Sequence, residues 1–209
     1  MTVSTFNKLA REYESKYFGI DTYKPHLDRL LTELKSHQKK VLDIACGPGN
    51  IMDYLAKTRP DLELVGIDLA EHMLELARRN VPSAQFKIKD CREMGDLGTK
   101  FDAAIFSFGL NYLSSDDVIR FFNSLNANLS QSGLLYLSSI TGNPEGSGLS
   151  TSSSGERVFQ FYRTPEQIVE LIEAAGYSIL YTAKLSSPDN ASDKTEDLVT
   201  IARRKSIQS

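Results

Sequence analysis

The chain has 209 residues, of which 41% are hydrophobic, and a formal net charge of -3. This length supports one sizeable hydrophobic core, so we expect a single domain over residues 1–209. Basic residues occur in scattered pairs, which argues against a nucleic-acid partner. No apolar run reaches the roughly 18 residues that span a bilayer, and the first residues contain no apolar signal core. We therefore expect a cytoplasmic protein with no membrane partner.

Two helices are predicted before the first strand. Apolar residues recur at helical spacing from Val3 to Ser15 and again from Pro25 to Lys35. The linker between them is aromatic and includes Tyr17, which follows Tyr13 by one helical turn. We expect residues 1–38 to form a helical cap and residues 39–209 to form the core.

A strand followed by a glycine turn comes next. The apolar run from Val41 to Ile44 leads to Gly47-x-Gly49 and then to a helical pattern. Glycines allow a tight turn and the close approach of a ligand beyond the carboxyl end of a parallel strand. A dinucleotide fingerprint would also need glycine or alanine at position 52, where Met52 stands. A dehydrogenase that uses NAD is therefore a disfavoured alternative.

The second strand ends in a carboxylate. It runs from Leu62 to Asp68, and Asp68 follows the glycine turn by about the ~20 residues expected for the acidic group that binds ribose hydroxyls. A carboxylate accepts from two hydroxyls at once, and such charged hydrogen bonds contribute ~1.5 to 3 kcal/mol each. The alternative is that Asp68 caps the helix predicted from Ala70 to Arg79.

Further strands complete one sheet. They are predicted at Ala84–Cys91, Phe101–Phe108, Leu134–Ile140, Tyr177–Leu185 and Asp197–Arg204. The last two flank a polar turn and are expected to pair in antiparallel fashion. The predicted fold is therefore an α/β, Rossmann-like, doubly wound sheet of seven strands, mostly parallel with an antiparallel closing strand.

Asp43, Gly47 and Gly49 together resemble motif I of the class I S-adenosylmethionine-dependent methyltransferases, in which an acidic strand residue precedes a Gly-x-Gly turn. The resemblance extends along most of the chain and is to the small-molecule type. It implies S-adenosyl-L-methionine as cofactor, S-adenosyl-L-homocysteine as product, and an oxygen or nitrogen of a small molecule as acceptor.

The resemblance also implies a set of cofactor-binding residues. Asp90 would accept the adenine amino hydrogen, and its alternative is a turn residue at the end of a strand. Met73 would contact the adenine ring, and its alternative is a position in the core. The complete set is Tyr13, Asp43, Ala45, Gly47, Gly49, Asp68, Leu69, Met73, Asp90, Cys91 and Ser107.

The segment after the fourth strand faces the methyl group in that family. Many members carry a histidine where Asn111 stands, which leaves Asn111 and Tyr112 as candidate catalytic groups and His26 as a candidate base. A surface histidine on a helix is the alternative for His26. The candidate substrate-binding residues are Tyr17, Phe108 and Arg163. Since no base is evident, we expect an acceptor that is already anionic or neutral, such as a carboxylate, a phosphonate or an amine.

Residues 141–156 are rich in Gly and Ser and are predicted to be a mobile loop, either a lid or a plain surface loop. Cys46 and Cys91 would end strands one and three, roughly 10 Å apart and beyond the ~7 Å limit for a disulfide. No histidine and cysteine spacing indicates a metal. A regulatory module that binds the cofactor without turnover is a further alternative, and the sequence gives no oligomeric state.

Overall fold

The protein is built on a seven-stranded sheet with helices on both faces. The computed structural model describes residues 2–151, 155, 157–186 and 195–206. The helices are α1 (Thr2–Tyr17), α2 (Lys24–Glu33), α3 (Asn50–Thr58), α4 (Glu71–Asn80), α5 (Ser115–Asn128) and α6 (Pro165–Ala174). The strands are β1 (Lys40–Ile44), β2 (Glu63–Asp68), β3 (Gln85–Ile88), β4 (Phe101–Ser107), β5 (Leu129–Thr141), β6 (Gly148–Thr151), β7 (Arg157–Gln160), β8 (Tyr177–Ser186) and β9 (Glu196–Arg204).

The strand order confirms the predicted fold class. The large sheet has the order β3-β2-β1-β4-β5-β9-β8. The pairs from β3 to β5 are parallel, and β9 is antiparallel to both β5 and β8. The order reverses between β1 and β4, because β1 lies next to both β2 and β4. In an open α/β sheet, ligands bind in the crevice at such a switch point, beyond the carboxyl ends of the strands.

Strands β1 and β4 are mostly apolar because both of their faces are covered. On one face Val41 packs with Leu27 and Leu55 from α2 and α3. On the other face Leu42 packs with Phe121 from α5. These buried side chains are at most 1% exposed. A parallel sheet with both faces covered needs continuous apolar strands, which is why the sequence shows runs instead of alternation.

The two N-terminal helices pack against different parts of the protein. The α2 helix contributes Leu27 and Leu30 to the same core cluster as the sheet. The α1 helix instead packs on α4 through a small separate cluster that contains Ala10, Met73 and Leu76. Only α1 therefore covers the sheet edge as a cap, while α2 is part of the core layer.

Part of the stretch predicted to be a loop forms regular structure. After β5 a 3-10 turn spans Pro144–Gly146, and β6 pairs in antiparallel fashion with β7, with Leu149 opposite Phe159. Periodicity did not predict β6 because the strand has only four residues. Residues 152–154 and 156 of the predicted loop lie outside the described residues. Whether the stretch moves stays a prediction.

Candidate functional site

A cavity of about 220 Å³ lies at the switch point of the sheet. The sheet register pairs Ile44 with both Ile67 and Phe106. The residues that come next, Ala45, Asp68 and Ser107, therefore leave three adjacent strands at the same level, and all three line the cavity. Residues far apart in the chain meet here because parallel strands end at one edge.

Glycine is needed at the two positions of the Gly-x-Gly turn for different structural reasons. Gly47 lines the cavity with φ of +53°, and a Cβ added there would meet nothing within 4 Å. Gly49 has φ of +83°, but a Cβ there would lie 3.3 Å from Cα and Cβ of Ala77 on α4. Gly49 does not line the cavity, so the structure does not support it as a cofactor contact. It allows α3 and α4 to pack closely, whereas Gly47 leaves open space for a ligand.

Asp68 both organises the turn and faces the cavity. Its Oδ2 accepts from the backbone N–H of Gly47 at 3.0 Å, and its Oδ1 accepts from that of Ala70 at 2.8 Å. Burial raises the pKa of Asp68, and the backbone hydrogen bonds oppose that shift. A carboxylate oxygen has two lone pairs, so each oxygen can still accept one more hydrogen bond. The N-cap of α4 is Ala70, and no side chain caps this helix, so Asp68 orders the turn before α4 and does not cap it. This turn role is compatible with ribose binding.

Asp43 lies beneath the cavity instead of lining it. Its side chain is 2% exposed, and Oδ2 has no hydrogen-bond partner in the structure. Burial, together with the nearby charge of Asp68, raises the pKa of Asp43 well above its ordinary range. The predicted direct cofactor contact of Asp43 is thus not supported by its placement. Asp43 is a buried acid close to Asp68, the carboxylate that faces the cavity.

One end of the cavity is formed by residues from the ends of β2 and β3. Leu69, Met73 and Cys91 line it, and burial raises the pKa of the Cys91 thiol to about 12. Asp90 lines it too, but Arg92 donates Nε to its Oδ1 at 2.9 Å and a terminal nitrogen to its Oδ2 at 2.7 Å. These bonds hold the pKa of Asp90 below its usual range. Asp90 is at the predicted place, with much of its accepting capacity already used.

Ser107 and aromatic rings also line the cavity. Ser107 shares a hydrogen bond of 2.6 Å with Ser138, and the backbone N–H of Phe108 donates to the carbonyl of Ser138. Phe108 has φ of +56°, an uncommon conformation for a bulky residue. Tyr13 from α1 and Tyr112 from the turn after β4 belong to the same lining, and Tyr13 packs against the cluster that contains Met73. Burial raises the pKa of both phenols, so they stay protonated at neutral pH.

Asn111 is not brought to the cavity. Its amide nitrogen donates to the carbonyls of Ile140 and Phe161, and its oxygen accepts from Ser139 Oγ and the Ile140 N–H. The side chain is 1% exposed. It joins the turn after β4 to β5 and to the segment after β7. The prediction of Asn111 as a catalytic group is therefore not supported, because none of its polar groups is left for a substrate.

His26 and Arg163 are also directed elsewhere. His26 Nδ1 lies 2.9 Å from the Tyr181 hydroxyl, and burial lowers the pKa of His26. The Arg163 guanidinium donates to the carbonyls of Leu110 and Leu113, at 3.2 and 2.7 Å. Neither residue lines the cavity. The structure supports neither the base role of His26 nor the substrate role of Arg163.

Tyr17 lies next to the cavity without lining it. Its ring centroid is 4.8 Å from that of Tyr13, and its carbonyl accepts from Asn50 at the start of α3. It therefore positions Tyr13 and the end of α1, which is not the substrate contact that was predicted for it.

Several lining residues were not predicted from the sequence. Phe6 is the most informative, because it precedes Tyr13 by seven residues and therefore lies on the same face of α1. That spacing was a usable signal. Arg92 also lines the cavity, where it forms an ion pair with Asp90. The only signal for this pair in the sequence is that the two residues are two positions apart.

A metal-binding cluster and a membrane-spanning helix are both absent from the described part of the chain. It contains no group of three or more His, Cys, Asp or Glu that could hold a metal ion. No helix there is long and apolar enough to cross a bilayer.

Comparison with known proteins supports one class of enzyme. A family model described as a methyltransferase domain matches residues 41–133. The demethylmenaquinone methyltransferase of Thermotoga maritima is 27% identical over 206 residues, covering 84% of this chain and 87% of that protein. Other curated proteins match more locally, over 20% to 47% of their lengths; they are named as methyltransferases or putative methyltransferases, except for a carboxy-S-adenosyl-L-methionine synthase of Campylobacter hominis.

Solved structures share the fold. A SAM-dependent methyltransferase from Methanosarcina mazei superposes with a TM-score of 0.73 at 20% identity, over 85% of this chain and 98% of that one. The DhpI–SAH complex superposes with a TM-score of 0.70 at 18% identity, over 97% and 95%. The fold, the strand-end site and the family match over residues 41–133 support a class I S-adenosylmethionine-dependent methyltransferase, with S-adenosylmethionine as its cofactor.

Proposed function

We propose that this methyltransferase methylates an oxygen or nitrogen atom of a small-molecule acceptor. The observation that carries the proposal is the make-up of the cavity. Asp68 and Gly47 line the same cavity as the aromatic rings of Tyr13, Phe108 and Tyr112. One cavity thus offers a hydroxyl-binding carboxylate and an apolar place for a second molecule.

The residues fit the cofactor. The spare lone pairs of Asp68 suit the two ribose hydroxyls, and the space above Gly47, where a Cβ would meet nothing within 4 Å, suits close approach of the ligand. Leu69 and Met73 offer an apolar surface for the adenine ring. We assign cofactor binding to the predicted residues that line the cavity, which are Tyr13, Ala45, Gly47, Asp68, Leu69, Met73, Asp90, Cys91 and Ser107.

The cofactor supplies a methyl carbon on a sulfonium, and transfer joins that carbon to an acceptor lone pair while the sulfur keeps the electrons of the broken bond. The chain has to align the acceptor and exclude water, which suffices for much of the rate of an in-line displacement. The rings of Phe108 and Tyr112 exclude water. Because Tyr112 stays protonated, it orients an acceptor as a hydrogen-bond donor and is not a base.

Support for a small acceptor comes from the enclosed cavity and from the Thermotoga maritima relative, whose name gives demethylmenaquinone as its substrate. The proposal includes one domain over residues 1–209, a cytoplasmic location, and no nucleic-acid or membrane partner. The family match does not favour the two alternatives, a regulatory module without turnover and an NAD-dependent oxidoreductase.

Calorimetric titration with S-adenosylhomocysteine and, separately, with NAD tests the proposal. We expect S-adenosylhomocysteine to bind and NAD not to bind. Incubation with methyl-labelled S-adenosylmethionine and a panel of phenols, amines and carboxylic acids then tests transfer. Failure to bind either adenosyl compound would overturn the proposal. Binding without transfer across the panel would favour the regulatory module.

A further inference from the structure

The α1 helix forms part of the cavity lining but has little apolar contact of its own. It contributes Phe6 and Tyr13 to the lining. Its apolar contact with α4 is a small cluster in which Ala10 packs with Met73 and Leu76. The clusters that cover the two faces of the sheet are much larger. Because most of the stability of a helix comes from tertiary packing, the polar contacts of α1 have a large share in holding it beside the cavity.

Asn80, the last residue of α4, joins α1 to the Gly-x-Gly turn. Its Nδ2 donates to Glu14 Oε1 at 2.7 Å and to the carbonyl of Pro48 at 2.9 Å. A side-chain amide has two N–H groups, so each acceptor has one of its own. Glu14 follows Tyr13 in the chain, and Pro48 follows Gly47. Asn80 does not line the cavity, but both of its partners are next to residues that do.

Close packing of α4 on the turn makes this bridge possible. A Cβ added to Gly49 would lie 3.3 Å from Cα and Cβ of Ala77, so the end of α4 and the turn are in close contact. Asn80 is three residues beyond Ala77 and therefore lies on the same side of the helix. Its short side chain can thus reach the turn and α1 together.

The bond to Glu14 is the stronger contact of that carboxylate. Its other oxygen lies 3.4 Å from a terminal nitrogen of Arg79, whose side chain is 63% exposed. Exposed ion pairs contribute little, whereas a short hydrogen bond to a charged group is about twice as strong as a neutral one. At the other end of α1, Asn7 accepts from the backbone N–H of His72, a contact that does not involve the turn.

From the two hydrogen bonds of Asn80 and the place of their acceptors, we infer that Asn80 is a positioning residue for the cofactor. It holds α1, and with it Tyr13, against the Gly-x-Gly turn, so that docking of α1 and binding of the cofactor stabilise each other. Such coupling is reciprocal, because a contact that favours docking strengthens ligand binding by the factor by which the ligand favours docking. The inference rests on the proposed function and adds to it a residue outside the cavity.

Calorimetric titration with S-adenosylhomocysteine, together with hydrogen exchange, tests this at a temperature at which every variant is folded. Asn80→Ala should weaken S-adenosylhomocysteine binding about tenfold, the lower end of what a hydrogen bond to a charged group contributes. Amides of α1 should exchange faster, whereas those of β4 should keep their wild-type rates, because the loss is local. Arg79→Gln is the matched control on the same helix turn and should leave the affinity within about twofold of wild type.

An exchange of the bonding pair separates the two hydrogen bonds. Asn80→Asp cannot donate and adds a second carboxylate beside Glu14, so it should weaken S-adenosylhomocysteine at least as much as Asn80→Ala. When Asn80→Asp is combined with Glu14→Gln, the new glutamine donates to the new aspartate, and exchange in α1 should return towards wild type. Affinity should recover only in part, because the carbonyl of Pro48 still lacks its donor.

Two results would overturn the inference. One is an affinity of Asn80→Ala within about twofold of wild type, and the other is an equal loss of affinity in Arg79→Gln. Failure of the wild-type protein to bind S-adenosylhomocysteine would instead refute the proposed function, and the inference with it.

Discussion

Replacement of Asp68 tests the cofactor site most directly. After its bonds to the Gly47 and Ala70 N–H groups, each carboxylate oxygen keeps one lone pair for a ribose hydroxyl. Two charged hydrogen bonds at ~1.5 to 3 kcal/mol each amount to ~3 kcal/mol or more, which is at least about a hundredfold in affinity. We therefore expect Asp68→Ala to weaken S-adenosylhomocysteine binding by at least that factor, as measured by calorimetry.

The same substitution leaves two backbone donors without their partner. Each unpaired buried donor costs ~1 to 3 kcal/mol, so the ligand-free variant should lose ~2 kcal/mol or more of unfolding free energy. For a chain of this size, each kcal/mol corresponds to about 2 to 4 °C in melting temperature. Asp68→Asn keeps one accepting oxygen, which can serve Ala70, and should be intermediate in both measurements.

The two readouts separate the two roles of Asp68. A lower melting temperature with S-adenosylhomocysteine affinity within about threefold of wild type would show that Asp68 only orders the turns at Gly47 and Ala70, and would refute the ribose assignment. Calorimetry is carried out below the melting temperature of each variant, so that unfolded protein does not imitate lost affinity. Asp61→Asn is the control, because its exposed carboxylate pairs with Arg59 and Lys39 away from the cavity.

Three further changes follow from the geometry. Asn111→Ala removes a buried amide whose hydrogen bonds are all satisfied, and it should lower the melting temperature by roughly 5 to 10 °C. The affinity for S-adenosylhomocysteine, measured by calorimetry, should stay close to that of the wild type. A large loss of affinity in folded protein would show that Asn111 is part of the binding site. Gly47→Ala and Gly49→Ala each place an alanine at a positive φ, at a cost of about 1 to 2 kcal/mol. Only Gly49→Ala adds close contacts with Ala77, so this variant should unfold at a lower urea concentration, whereas Gly47→Ala should lose more cofactor affinity. The reverse ranking would contradict the assigned roles. Because burial raises the pKa of Asp43, its contribution to stability is greatest at low pH and is lost as pH rises towards the folded-state pKa. Asp43→Asn should therefore gain stability relative to wild type as pH rises above the ordinary aspartate pKa of about 4, by up to about 1.4 kcal/mol per pH unit, in urea titrations; an unchanged difference between the two proteins would refute a raised pKa.

Much of the fold follows from local patterns. Apolar runs in β1 and β4 predict strands covered on both faces, and the glycine turn after β1 predicts a ligand crevice. Placement of Asp68 at the end of the second strand also puts its side chain at that crevice. These inferences succeed because parallel strands in a doubly wound sheet all end at the same edge, so a strand-end position in the sequence is already a position in space.

Which of the candidate side chains reach the cavity was decided by tertiary contacts. Asn111, His26 and Arg163 all have chemistry suited to a site, but each is engaged by partners 28 to 155 residues away along the chain. No local pattern indicates such a partner. Gly49 was matched correctly to a motif, yet the need for glycine there comes from Ala77 on another helix.

The sequence by itself determined the sheet, the glycine turn and the carboxylate at the end of β2, because these depend on residue type and spacing within one strand-turn-helix unit. Only the tertiary structure decided the pairing of β6 with β7, the place of the aromatic rings in the cavity lining and the engagement of Arg92 and Arg163. These depend on which distant side chains satisfy one another's hydrogen bonds and charges once the chain is closed. A buried polar group binds whatever partner packing brings to it, and that partner is not encoded in its neighbours.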